Sequence, residues 1–593
     1  MASWFAARVA RHPESDPVDT PGKGPDVSDL GCRLGLLWVR IRRSYSSLVA
    51  SEAGVTVLLH GEVYGPSGAR TAEGLLEAYL RYGPSVARSL NGSFALLVLD
   101  NRLGGLLVIT DRVNSHKVFL SEDDGGWWLS TSLYRHPGER RRLDPAGIAS
   151  VLACGAAHGG LTPFEGVRVL EPAAVHSFTE RGHRSESYWD YESVAQSGSV
   201  RESDLRGGLA DALRSSVERR IPSGQGKLFV SLSGGYDSRS IAGFLSEAID
   251  DRERLQIFTY HHGPQVGDTD FGTASGTAIS LGVHHQRMEG YKGDLPSVLE
   301  ANSSFGQGMA NFCTEIGVWQ SLGPSMAESD ENLLFVGDRF PLASPRSEDG
   351  AALLAQADVF PVSTIEWLLK GLGSSSASAL GNGWRAAYEG LLAKIPSGQD
   401  VFDSLHRVKL EHRTDTIMLW RECFQTPYVR VANPYFDNEV LDFMSQVPAR
   451  SRKRLYRDAI TAALPSLFRE PTVDGGWNPP DWPRELRHHA ASIRNAVVSV
   501  PSRLDELIPP DVILRLLKAT SGVSATGSDE AVATLRSLTK RLTLVRQMVR
   551  AVKPRVRRSV PIRRSRHQVL LDLLTLRGFL SETLPRSVAA GRP

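Results

Sequence analysis

The chain of 593 residues is 41% hydrophobic and 23% charged, an ordinary globular balance with enough material for two or more cored domains. Its 68 Lys and Arg against 66 Asp and Glu leave a net charge of +2, so the bulk balance argues for neither nucleic acid nor membrane as a partner. No apolar run approaches the ~20 residues of a membrane helix, and "MASWFAARVARHPESD" lacks the apolar core of a secretory signal, so a cytoplasmic protein is expected.

In chain order, residues 1–195 read as strands and turns. "VTVLLHGEVYG", "FALLVLD", "GLLVITDR" and "GWWLSTSLY" are short apolar runs broken by Gly, Asn and Asp, with one helical stretch at "AEGLLEAYLRYG". Residues 195–204, "AQSGSVRESD", form a polar linker. From 205 the pattern alternates between helix and strand through "LRGGLADALRSSVERR", "KLFVSL", "SIAGFLSEAI", "LQIFTY" and "NLLFVGD". That alternation predicts a parallel sheet flanked by helices, with ligands at the carboxyl ends of its strands. Beyond 351 the chain is mainly helical, with low-complexity "LGSSSASALGNG", flexible-looking "ATSGVSATGSDE" and a run dense in Arg and Lys from Lys540 to Arg566. The basic run reads as a solvated helical face, the alternative being a docking surface for an acidic partner. Cys32, Cys154, Cys313 and Cys423 are far apart, without metal-ligand spacing, and read as reduced thiols.

The informative junction is "KLFVSLSGGYDSRSIAGFLSEA". A short apolar strand stops at Leu232, and helical spacing resumes at Ile241, Phe244 and Leu245. Between them, Gly234 and Gly235 let an anion approach outward-pointing backbone N–H groups, Ser233 and Ser238 add hydroxyls, and Asp237 can hold a divalent cation against phosphates. A helix N-cap after a tight turn uses the same residues, so the junction alone leaves both readings open. The other phosphate loops are missing, since Leu228 stands where a Walker loop needs Ser or Thr and no GxGxxG opens a helix.

On these motifs the chain resembles the asparagine synthetase-like ATP pyrophosphatases. "SGGYDS" is similar to their SGGxDS pyrophosphate loop, whose preceding strand helps hold adenine. "NPYFDNEVLDFMSQVP" is similar to their PFLD-type segment and "KRLYRDAI" to their Lys-x-x-x-Arg-x-Ala helix. "LHGEVYG", "TAEGLLEAYLRYG", "LNGSFALLVLD" and "LLVITDR" follow, in order, a class II glutamine amidotransferase domain. The resemblance implies an α/β protein. An Ntn-type β-sandwich of α+β character at 1–195 precedes an adenine nucleotide alpha hydrolase-like parallel sheet at 205–593, which carries a basic helical extension. It implies ATP and Mg²⁺ as cofactors, with Leu232, Ser233, Gly234, Gly235, Asp237 and Ser238 on the nucleotide, Asp237 and Asp338 on the metal, and Lys453 catalytic, one helical turn from Arg457. Without that resemblance, Lys453 in "RSRKRLYRD" reads as a surface lysine.

Departures narrow the expectation. Ala2 replaces the nucleophilic Cys of a working amidotransferase, Ser3 would serve only after trimming of two residues, and Gly65 replaces the signature Asn. Phe335 stands three residues before Asp338, where relatives carry Glu or Tyr, and Arg430 falls where the β-lactam synthetases have the Glu of a proton-removing dyad. Such a pattern most resembles the lasso peptide macrolactam cyclases. That implies a precursor peptide as substrate, with a leader-binding protein and a leader peptidase as partners. A β-lactam synthetase-like or ammonia-dependent amide synthetase and a non-catalytic scaffold are the other readings. "RFPLASPRSEDG" and "GLGSSSASALGNG" are candidate lids, and Trp477 and Trp482 in "GGWNPPDWP" candidate groove residues or core.

Overall fold

The computed structural model describes residues 5–10, 27–34, 37–44, 48–64, 70–136, 142–191, 202–261, 269–395, 400–469, 479–522 and 564–581. The positions read as Met1–Ser3, Gly65, the 195–204 linker (apart from residues 202–204), Trp477 and most of the basic run lie outside them.

Strands β1 (Phe5–Ala10), β2 (Val27–Leu34), β3 (Leu37–Ser44), β4 (Leu48–Glu52), β5 (Val55–Val63), β6 (Gly92–Asp100), β7 (Gly105–Thr110), β8 (Phe119–Asp123), β9 (Gly126–Ser130), β10 (Val167–Val169), β11 (Ala174–Thr179) and β12 (Gly182–Ser187) make two six-stranded sheets. Their orders are β10-β8-β9-β1-β3-β2 and β12-β11-β7-β6-β5-β4, with antiparallel pairing such as Leu97↔Val108. Ala7, Val9, Val39 and Ile41 of the first sheet meet Leu58, Leu97 and Val108 of the second, which makes a sandwich. The second sheet's other face, with Val57, Leu59, Leu96 and Val98, packs on Leu75, Leu76 and Tyr79 of helix Ala72–Tyr82. Both faces of β5 to β7 are therefore buried, which is why these runs are almost continuously apolar instead of alternating.

Strands β13 (Leu228–Ser231), β14 (Leu255–His261), β15 (His285–Glu289), β16 (Leu333–Phe335) and β17 (Arg430–Ala432) form a parallel sheet in the order β15-β14-β13-β16-β17. In β13, Leu228 and Val230 enter one apolar cluster while Phe229 enters the other, so the sheet is covered on both faces. The chain runs outward from β13 through β14 to β15, then crosses back to β16 on the other side. The connections leaving β13 and β16 therefore diverge, opening a crevice at their carboxyl ends. The fold is mixed α/β, an antiparallel sandwich joined to a helix-flanked parallel sheet.

Beyond residue 350 the described chain is largely helical, and one expectation needs correcting. The low-complexity "GSSSASALGNG" is no lid but the start of helix Ser374–Ala393, which buries Leu380, Trp384, Tyr388 and Leu391. Small residues let it approach closely: a Cβ on Gly383 would lie 3.1 Å from the Ala146 nitrogen of helix Pro145–Cys154. Trp482 is core, ringed by Tyr291 and Phe312. Of "RFPLASPRSEDG", Phe340 and Leu342 are buried in the apolar cluster beneath β13. Cys32, Cys154, Cys313 and Cys423 are all free. Among the described residues no helix is long and apolar enough to cross a membrane.

Candidate active site

Leu232 continues β13, its N–H donating to Phe258 O at 2.8 Å and its carbonyl accepting from Thr259 Oγ1 at 2.6 Å. With its side chain in the apolar cluster, it fixes the point where the backbone leaves the sheet. Helix Tyr236–Ala248 then begins at Gly235, with no side chain capping it, so the first-turn N–H groups open on the crevice. The turn is braced from inside: the Ser233 N–H donates to Ser238 Oγ at 2.9 Å, the two hydroxyls lie 2.9 Å apart, and the Gly235 N–H donates to Ser233 Oγ at 3.3 Å. A Cβ at Gly235 would meet only that Ser233 hydroxyl, at 3.3 Å, so the space in front of the turn is open. Ser233, Gly235 and Asp237 are half-buried, not sealed.

The two residues expected to hold metal are brought to the same side of the crevice. A Cβ on Gly337 would lie 3.1 Å from Asp237 Cβ and 3.2 Å from Ser238 N, so the chain leaving β16 runs hard against the Asp237 turn and sets Asp338 beside it. Asp237 accepts from Tyr456 OH at 2.6 Å and pairs with Arg339; Asp338 accepts two bonds from Arg421, each 2.9 Å. Burial pushes the Asp237 carboxyl above its ordinary range, the Arg339 guanidinium pulls it back, and Asp338 adds to the rise. Two neighbouring carboxylates at an uncapped helix end are the hard oxygen donors a Mg²⁺ ion requires, so the residues fit that ion, and Arg339, which pairs with Asp237 with 40% of its side chain exposed, would have to give way to it.

Helix Ala449–Ala463 roofs the turn. Tyr456 reaches Asp237 and bonds Tyr435 OH at 2.7 Å, which in turn lies 2.6 Å from Ser240 Oγ. Arg457 stacks 5.4 Å over Tyr236. Lys453 is exposed one turn earlier on the same helix, three residues before Tyr456. The PFLD-like segment supplies Tyr435 and a buried Asp437, which caps helix Asn438–Ser445 and accepts from Arg220 at 2.6 Å. Burial works to raise the Asp437 carboxyl, but Arg220 and Arg219 hold it below its ordinary value.

Phe335 is fully buried, paired in the sheet with Val230 and Ala432. Arg430 lies opposite Leu333, two residues down the sheet from that carboxyl edge, and pairs with Glu62 of the sandwich. Neither presents a proton-accepting group to the crevice. Tyr456, Arg339, Arg421 and Tyr435 were not singled out by sequence reading, although Tyr456 lies at helical spacing from Lys453 and Arg339 directly follows Asp338. Glu315, buried near Arg421 and accepting from Tyr260 OH at 3.4 Å, had no motif to mark it.

Residues 65–189 match the glutamine amidotransferase domain family and residues 208–314 the asparagine synthase family. The chain is thus asparagine synthetase-like in these two segments, one in the sandwich and one around the parallel sheet. A similar characterised protein is the glutamine-hydrolyzing asparagine synthetase 3 of Bacillus subtilis (strain 168), 23% identical over 236 residues. That match covers 36% of this chain and 38% of the relative, so the chain spans well under half of the relative's length. Among solved structures, the allosteric regulatory enzyme of purine biosynthesis aligns with a TM-score of 0.22 and 12% identity, over 45% of this chain and 67% of that one. Glutamine phosphoribosylpyrophosphate amidotransferase from B. subtilis, complexed with ADP and GMP, aligns with a TM-score of 0.21 and 9% identity, over 58% and 77%.

Proposed function

We propose that this chain is an ATP-dependent amide-forming ligase. It converts a substrate carboxylate to an acyl-adenylate with release of pyrophosphate, and an amine then displaces AMP. The observation that carries the reading is the open, uncapped turn at Ser233–Tyr236 flanked by the neighbouring Asp237 and Asp338. The helix N–H groups and the Ser233 and Ser238 hydroxyls suit the charge that gathers on phosphate oxygens as the carboxylate attacks. A Mg²⁺ held by Asp237 and Asp338 would supply further neutralisation of that charge. Lys453, a mobile point charge on the roofing helix, suits the oxyanion formed when the amine adds to the acyl carbon.

Within that class, we propose macrolactam closure on a precursor peptide: an Asp or Glu side chain is activated and the peptide's own N-terminal amine attacks it. The burial of Phe335 and the turn of Arg430 toward Glu62 support this over a β-lactam synthetase-like reaction, because both dyad positions lack a base facing the crevice. An intramolecular amine held at near-attack distance gains roughly 7–11 kcal/mol over a free one, which lessens the need for a dedicated base.

The test is incubation of the full chain with Mg-ATP and a precursor peptide. Loss of one water from the peptide, matched by AMP and pyrophosphate, is expected. ADP as the nucleotide product overturns the adenylation chemistry. Ammonia-dependent pyrophosphate release without peptide would instead favour amidation of a small acid.

A further inference from the structure

Away from the nucleotide turn, three side chains from both halves of the fold converge where nothing in the proposed reaction uses them. His60 comes from β5, His116 from the loop between β7 and β8, and Glu422 from helix Asp415–Phe424. One ligand atom from each lies within 4.8 Å of the others. His116 Nδ1 is 3.3 Å and His60 Nε2 3.7 Å from the same oxygen, Glu422 Oε1. We infer that His60, His116 and Glu422 form a Zn²⁺ site that ties the antiparallel sandwich to the helix carrying Arg421.

The geometry is close to what the ion demands. Ligand atoms ~2.0–2.1 Å from a tetrahedral zinc stand about 3.4 Å apart, so the two nitrogen-to-carboxylate separations need to change by only a few tenths of an ångström, and the two imidazole nitrogens lie within 4.8 Å of each other. The site is also held in place by its surroundings. The His116 ring lies against Gly61, whose φ of +97° and lack of a Cβ permit the approach: a Cβ there would sit 2.7 Å from two atoms of that ring. The Lys117 N–H donates to Glu422 Oε2 at 3.1 Å and so aims Oε1 at the imidazoles, the kind of outer support metal-binding carboxylates receive. The His60 and His116 rings meet edge to face at 4.5 Å, and His60 packs on Phe5. Two imidazole nitrogens thus stand against one carboxylate oxygen, a mixed nitrogen and oxygen donor set of the kind zinc takes.

Two histidines and a carboxylate leave a fourth position. A cavity of about 470 Å³ between the halves, lined among others by Glu62, His116, Arg421, Glu422 and Asn433, borders two of the three side chains, so a water from it would fill that position. Because Arg421 adjoins Glu422 and clamps Asp338, the ion would also hold one wall of the nucleotide crevice.

The full-length chain, stripped with chelator, is titrated with Zn²⁺, desalted and measured for bound metal, and separately loaded with Co²⁺ for visible spectroscopy. About one Zn²⁺ per chain is expected, with the Co²⁺ form showing the intense visible bands of a four- or five-coordinate site. His116→Ala and Glu422→Gln should weaken Zn²⁺ by at least the ~100-fold that loss of an outer-shell partner alone can cost. Should those variants fail to fold, His60→Cys provides a separate readout, since a thiolate ligand adds a near-ultraviolet charge-transfer band to the Co²⁺ spectrum. Substoichiometric Zn²⁺ with a weak octahedral Co²⁺ spectrum in the unaltered chain overturns the inference, as does unchanged binding in folded His116→Ala.

Discussion

Asp237 carries two demands at once. Its side chain is only 17% exposed, which disfavours its charge, and in the proposed reaction it would hold a cation at the Ser233–Tyr236 turn. Burial raises its carboxyl above the ordinary range, and Arg339 and Tyr456 oppose that rise by favouring the charged form. Removing the hydroxyl should therefore affect stability first: Tyr456→Phe is expected to lower the unfolding free energy by about 1.5–3 kcal/mol, the worth of a hydrogen bond to a charged group, measured by urea titration. Asp237→Asn keeps an acceptor for Tyr456 and should fold normally, yet lose roughly 10²–10³-fold in AMP formation. Equal activity in Asp237→Asn and the unaltered chain would remove this residue from the chemistry. The turn itself was readable, because Ser233, Gly234, Gly235, Asp237 and Ser238 are contiguous and their chemistry depends on local backbone shape. Arg339 and Arg421 were not, because their meaning arises only when β16 is laid beside β13, across more than a hundred residues of chain.

At the scale of elements, the crevice exists because two connections leave neighbouring parallel strands in opposite directions and then touch. Gly337 is the contact point. An added methyl would press on Asp237 Cβ at 3.1 Å and on the Asp237 carbonyl carbon and Ser238 N at 3.2 Å, atoms of a turn that cannot rotate away. Gly337→Ala is expected to cost about 1–3 kcal/mol of stability by overpacking and to raise the KM for ATP more than it lowers kcat, because it displaces the binding turn as a unit. Unchanged stability and KM would show that the two connections are not in contact in solution. Element reading from sequence worked where burial imposes one period, as in β6, β7 and β13. It failed for helix Ser374–Ala393, where Ser, Ala and Gly mimic a linker; its packing face is carried by Leu380, Trp384, Tyr388 and Leu391, and the small residues are there for close approach. Strand β1 was missed for a related reason: "FAARVA" is short and carries Arg8, a charge that pairs with Asp123 at 2.8 Å and is visible as tolerable only once β9 lies alongside.

Across the whole molecule the sandwich and the parallel-sheet half are joined by polar contacts. Arg112 pairs with Asp442 and stacks on Trp189, the Asn438 N–H donates to Asn91 Oδ1 at 3.0 Å, and Lys117 pairs with Asp415. Two buried histidines belong to the same junction. His158 of the sandwich half packs 5.9 Å from the ring of His412, and burial, with that neighbour, pushes its pKa down to about 3. His406 is pushed down to about 4 by burial and by Arg452; it accepts from Arg452 at Nδ1 and donates from Nε2 to Ala343 O, and Arg452 also reaches Tyr191. Both are neutral in the fold, whereas an unfolded histidine titrates near 6.5. Below about 6.5 the unfolded chain binds protons that the native chain refuses, so stability is complete above that pH and falls as the solution is acidified toward 4. Each histidine contributes a slope approaching about 1.4 kcal/mol per pH unit below 6.5, so the two together should remove about 4 kcal/mol between pH 7.5 and 5. Urea unfolding at pH 7.5 and 5.0 measures the loss. His406→Gln, which can keep a donor and an acceptor without titrating, and His158→Asn should each remove about 2 kcal/mol of that loss. A slope that survives both substitutions would mean that acid acts through other histidines that burial holds down, with His183, lowered to about 4, and its stacked neighbour His176 the groups to change next.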